Sequence, residues 1–88
     1  MAKMNIVFSP KAFEDYEYFQ KEDRKMVKRI NELLKSISRD GALNGLGKPE
    51  KLTANLSGYY SRRINHEHRL VYTVDEHNIK IASCRYHY

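Results

Sequence analysis

Tryptophan is absent from this chain, cysteine occurs once and proline twice. The lone cysteine, Cys84, cannot close an internal disulfide, so nothing in the sequence calls for an oxidising compartment. No stretch approaches the roughly 18 consecutive apolar residues that a membrane-spanning helix requires. The N-terminal Met1-Ala2-Lys3-Met4-Asn5 leads into only Ile6, Val7 and Phe8, too short an apolar core for a secretory signal. The expected location is therefore the cytoplasm, with no membrane contact. Internal repeats and low-complexity linkers are also missing. The string Gly45-Leu46-Gly47-Lys48 fails both the P-loop and the dinucleotide spacing, and no helix follows it to offer its N-terminus to a phosphate.

What is present fits one ordered domain over residues 1–88. Hydrophobic residues make up 41% and charged residues 31%, the balance of a globular protein and not of a disordered one. Sixteen Lys and Arg against eleven Asp and Glu give a formal net charge of +5. That excess suits a polyanionic partner, and equally suits plain solubility. Seven tyrosines could stack on unpaired bases or could simply pack.

Asn5 to Phe8 predicts a short first strand. Ser9-Pro10 predicts a helix start, with serine at the N-cap and proline at the first helical position. Phe13, Tyr16 and Gln20 mark a face of that helix. A second helix is expected from Lys21 or Glu22 to Ser38, because Met26, Ile30, Leu33, Leu34 and Ile37 form one stripe at helical period. Its outer face carries Lys25, Lys28, Arg29, Glu32 and Lys35, which reads as a solvated surface or as an RNA contact. Gly41, Gly45, Gly47 and Pro49 punctuate a loop.

From Leu56 the pattern alternates at period two. Tyr60, Arg62 and Ile64 share one face, and Leu70, Tyr72 and Val74 follow in the same manner after a turn at His66-Glu67-His68. Asp75 to Asn78 reads as a hairpin connection. The last strand is expected to put Ile79, Ile81, Ser83, Arg85 and His87 on one face, and Lys80, Ala82, Cys84, Tyr86 and Tyr88 on the other. The order is β-α-α-β-β-β. It predicts an α+β fold, with an antiparallel sheet of about four strands and two N-terminal helices packed on one face.

Four histidines, His66, His68, His77 and His87, lie in the last 23 residues. No acidic or cysteine cluster stands at a metal-ligand spacing beside them, so no metal is expected, and no cofactor. The tail Cys84-Arg85-Tyr86-His87-Tyr88 invites two readings, a cap on the core or part of a reaction centre. Cutting RNA without a metal needs a base for the 2′-hydroxyl, an acid for the leaving 5′-oxygen and fixed positive charge for the phosphorane. Glu50, the arginines Arg62, Arg63, Arg69 and Arg85, and His87 are residues of the right types.

Several motifs together resemble the YoeB toxins (Txe/YoeB) of the wider RelE-like superfamily of bacterial toxin–antitoxin systems. They are Gly47-Lys48-Pro49-Glu50, Asn55-Leu56-Ser57-Gly58, Ser61-Arg62-Arg63-Ile64, Glu67-His68-Arg69-Leu70-Val71-Tyr72 and Cys84-Arg85-Tyr86-His87-Tyr88, with the helical Val27-Lys28-Arg29-Ile30-Asn31-Glu32-Leu33. The resemblance implies a microbial-ribonuclease-like fold and an endoribonuclease that cuts messenger RNA in the ribosomal A site. It implies Glu50 as general base, His87 as general acid, Arg69 on the scissile phosphate and Tyr88 completing the site. Lys48, Arg62 and Arg63 are expected to bind substrate. Ribosome-bound mRNA, an acidic antitoxin of the YefM type and a second copy of the chain are the implied partners. Two positions depart from the family pattern: Lys51 replaces a proline, and Thr53 stands where a lysine is usual.

Overall fold

The computed structural model describes residues 3–85. Strand β1 (Asn5–Phe8) runs directly into helix α1 (Pro10–Glu22). Ser9 makes that junction as expected: its Oγ accepts the Ala12 N–H at 3.0 Å, and Pro10 follows at the first helical position. Helix α2 (Arg24–Asp40) begins about two residues later than the apolar stripe implied. Asp23 sets the boundary. Its extended backbone (φ −160°) breaks the helix, its N–H closes α1 onto the Phe19 carbonyl, and its carboxylate caps α2 by accepting the Lys25 N–H. One residue thus ends one helix and starts the next.

The remaining chain forms strands β2 (Glu50–Lys51), β3 (Tyr60–Arg63), β4 (Arg69–Val74) and β5 (Asn78–Ser83), with a short 3₁₀ turn at Ala54–Leu56. The α+β class and the order of helices and main strands agree with the pattern read from the sequence. The sheet is larger and mixed: five strands in the order β1-β5-β4-β3-β2, with β1 parallel to β5 and the other pairs antiparallel. Periodicity identifies strands but carries no information on which distant strand becomes a neighbour. Two residues are also too few to show a period, so β2 leaves no sequence signature.

Both helices lie on one face of the sheet. Ala12 and Phe19 of α1 and Met26, Ile30, Leu33, Leu34 and Ile37 of α2 join Ile64, Leu70, Tyr72, Ile79, Ile81 and Cys84 in one core. The whole predicted α2 stripe is buried. Cys84 belongs to the same face as Ile79 and Ile81, against the alternation expected for β5. A β-bulge explains this: Val71 pairs with Ser83 but Tyr72 pairs with Ile81, so Ala82 is an extra residue and parity inverts after it. The strand then ends at Ser83, before Cys84 and Arg85.

The root of that tail is docked on α1. The buried Asp15 carboxylate accepts the Cys84 N–H at 3.0 Å and pairs with Lys11. Ser9 Oγ donates to the Ala82 carbonyl, the Cys84 thiol to the Ala12 carbonyl, and the Arg85 guanidinium lies 3.5 Å from the Tyr18 ring centre. Residues 9, 12, 15 and 18 recur at helical spacing, so one ridge of α1 holds the segment 82–85.

Candidate active site

The face of the sheet opposite the helices carries Ser61 and Arg63 from β3 and Arg69 from β4, with Glu50 at the start of β2. Register brings them together. Glu50 lies directly across from Ser61, and Arg63 across from Arg69. Side chains opposite each other share a face, and diagonal neighbours on that face remain within reach of a long side chain.

The polar contacts follow that layout. Arg69 donates from Nη2 to Glu50 Oε1 at 2.9 Å and from Nε to Ser61 Oγ at 3.0 Å. Ser61 in turn donates to Glu50 Oε1 at 3.4 Å. The Arg69 side chain is only 12% exposed, whereas Glu50 retains 52%. The carboxylate is therefore accessible and the cation is held in place. A guanidinium has five N–H donors, and the bonds to Glu50 and Ser61 use two of them. Arg63 is exposed beside the pair. Lys48 is exposed in the approach to β2, with φ of 51°.

Gly47 makes that approach possible. Its φ is 86°, and an added Cβ would come within 2.8 Å of Leu33 Cδ2 and 3.1 Å of the Arg63 carbonyl. Its own carbonyl accepts the Arg63 N–H at 2.6 Å, which ties the loop to β3 three residues before Glu50.

Arg62 corrects an expectation. Its place in the sequence suggested a substrate contact, but it points to the helix side and is 0% exposed. Nε donates to the Tyr72 hydroxyl, and Nη1 to Ser36 Oγ and the Leu46 carbonyl. Nη2 donates to the carbonyls of Gly41, Ala42 and Asn44. Loop 41–46 has little regular structure of its own, and a buried carbonyl without a donor is costly. Arg62 supplies those donors, so it organises the loop and has no free surface for RNA.

His87 and Tyr88 lie outside the described residues. The structure thus brings together Glu50, Arg69 and Arg63, leaves Lys48 nearby in the loop and removes Arg62 from the surface. Sequence reasoning gave no role to Ser61 or to Asp15 as a buried acceptor. Ser61 was legible in part, because its parity places it on the face of Arg63. Asp15 left no signal, since an acidic residue early in a helix is ordinarily solvent-facing.

The fold and site together define a small α+β protein with a sheet backed by helices on one side and a carboxylate paired with a guanidinium on the other. Comparison with known proteins narrows the class. Residues 8–88 match the family described as YoeB-like toxin of bacterial type II toxin-antitoxin system. The Toxin YoeB of Synechocystis sp. is 56% identical over 85 residues, covering 97% of this chain and 98% of that protein. The YoeB dimer from Staphylococcus aureus is 77% identical with a TM-score of 0.94, covering 99% of this chain and 100% of that one. A heterotetrameric YoeB-YefM toxin-antitoxin complex from Staphylococcus aureus gives 77% and 0.92 at the same coverage. The chain belongs to the YoeB-like toxin family of bacterial type II toxin–antitoxin systems.

Proposed function

We propose that this toxin is a ribosome-dependent endoribonuclease that cuts messenger RNA in the ribosomal A site and so stops translation. The observation that carries the reading is the Glu50–Arg69 pair on the sheet face away from the helices, a half-exposed carboxylate 2.9 Å from a fixed guanidinium. Glu50 takes the proton of the 2′-hydroxyl, whose oxygen then attacks the adjacent phosphorus. Arg69 balances the charge of the phosphorane. The bond to the 5′-oxygen breaks, and His87 gives that oxygen a proton. The products are a 2′,3′-cyclic phosphate and a 5′-hydroxyl. Tyr88 completes the site, and Arg63 and Lys48 hold neighbouring RNA. A base and an acid acting together give a bell-shaped pH–rate profile.

The assembly partners follow from the relatives. A YefM-type acidic antitoxin would neutralise this basic chain, and a homodimer like that of the Staphylococcus aureus protein is the expected free form. The site of action is the cytoplasm, where ribosomes are. Among the described residues no helix is long and apolar enough to cross a membrane.

Growth of a bacterial host is the test. Expression without an antitoxin should arrest growth, and Glu50→Ala or His87→Ala should relieve the arrest while the protein remains folded. Loss of a general base or acid lowers such a rate by roughly 10²–10⁴-fold. Unabated arrest by soluble Glu50→Ala protein would remove that residue from the mechanism.

A further inference from the structure

We propose that Ser61 is a positioning residue of the reaction: its hydroxyl sets the geometry between the base Glu50 and the cation Arg69. This inference rests on the reading of Glu50 and Arg69 given above. Ser61 is 0% exposed on the face that carries Glu50 and Arg69. Its oxygen accepts the Arg69 Nε–H at 3.0 Å and donates to Glu50 Oε1 at 3.4 Å, while Arg69 Nη2 reaches the same Oε1 at 2.9 Å. The three groups close a triangle.

The triangle has a directional consequence. An arginine side chain has many rotamers, and a single bond to a half-exposed carboxylate fixes only one point of the guanidinium. The second bond, from Nε to Ser61, fixes its plane. The remaining donors, on Nη1 and the second Nη2 hydrogen, are thereby turned away from Ser61. Backbone pairing secures the anchor, because Ser61 lies across from Glu50 on one side and Val71 on the other, next to Arg69 along β4. When a phosphate competes for Arg69, the Ser61 hydroxyl remains as a donor to Glu50 and the carboxylate keeps its orientation. The role also explains which serine atom matters: the hydroxyl both accepts and donates, which alanine and valine cannot do.

Single-turnover cleavage of mRNA on programmed ribosomes, measured across a range of toxin concentrations, tests the inference. Ser61→Ala removes one oxygen from a strand and keeps the packing, and its thermal melt confirms the fold. The expected result is a roughly tenfold to hundredfold lower rate at saturating toxin, the scale of a misplaced reacting group. The toxin concentration giving half the maximal rate should change little. Ser61→Thr retains the hydroxyl and should restore the rate to within a few-fold of wild type. A wild-type rate for Ser61→Ala, a lower rate that higher toxin concentration restores, or a Ser61→Thr variant as impaired as Ser61→Ala would each overturn the inference. No cleavage by the unsubstituted toxin would instead overturn the proposed reaction itself, so the two failures are distinguishable.

Discussion

At the scale of single residues, Arg62 and Arg63 are adjacent arginines with opposite fates. Strand parity alone separates them: Arg62 turns inward to loop 41–46, and Arg63 outward beside Arg69. The sequence makes the parity legible but not the burial, because a pair of arginines in a basic chain reads as surface. What recruits Arg62 inward is a glycine-punctuated loop that turns the carbonyls of Gly41, Asn44 and Leu46 toward it. Arg62→Met should therefore destabilise the fold by about 3 kcal/mol or more, since several part-buried acceptors and the buried Tyr72 hydroxyl lose their donor at once. Urea denaturation measures this. A loss below about 1 kcal/mol, the net worth of one ordinary hydrogen bond, would show that the loop reorganises at little cost.

At the scale of elements, the link between α1 and the end of β5 was invisible beforehand. The apolar stripe of α2 was readable from its period and is buried as expected, whereas α1 buries Ala12, Asp15 and Phe19 in place of the expected Phe13, Tyr16 and Gln20, and Phe13 is exposed. The contact of Asp15 with Cys84 spans 69 residues and involves a carboxylate and a backbone N–H, neither of which has a periodic signature. The bulge at Ala82 is equally unmarked, and it alone decides that Cys84 joins the core. Burial, and after it the nearby Asp15 carboxylate, push the Cys84 thiol up to about 12. The native protein at pH 8 should accordingly resist thiol reagents, because the thiolate is the nucleophile. Asp15→Ala orphans the Cys84 N–H and should cost about 1–3 kcal/mol. It should also speed labelling of Cys84, while Asp15→Asn, which keeps an acceptor, should label more slowly than Asp15→Ala. Equal labelling of the native and Asp15→Ala proteins would mean that α1 does not hold the segment.

At the scale of the whole molecule, charge and topology act together. The excess of five positive charges was evident from composition, but its use depends on the sheet: helices cover one face and leave the other to Glu50, Ser61, Arg63 and Arg69. Acid stability is a property of this whole. In the β4–β5 hairpin the Asp75 carboxylate is held well below the usual range, chiefly by the His77 backbone N–H and then by Asn78 and Lys80. Asp40 is lowered as well, first by its bond from Arg39. Groups depressed in the folded state add stability above their unfolded value near 3.9, and that contribution is lost as pH falls. The melting temperature should decline below about pH 4, and Asp75→Ala should flatten the decline. An identical acid profile for that variant would exclude the hairpin as a contributor.

The central claim is that Glu50, Arg69 and His87 cut RNA through its own 2′-hydroxyl. The chemistry of the cut ends tests it most directly. Messenger RNA cleaved on programmed ribosomes by the purified toxin should carry a 2′,3′-cyclic phosphate, or the 3′-phosphate it opens to, on one fragment and a 5′-hydroxyl on the other. Replacing the 2′-hydroxyl at the cut position with hydrogen should abolish cleavage. Fragments ending in a 3′-hydroxyl and a 5′-phosphate, or undiminished cutting at a 2′-deoxy position, would contradict the account.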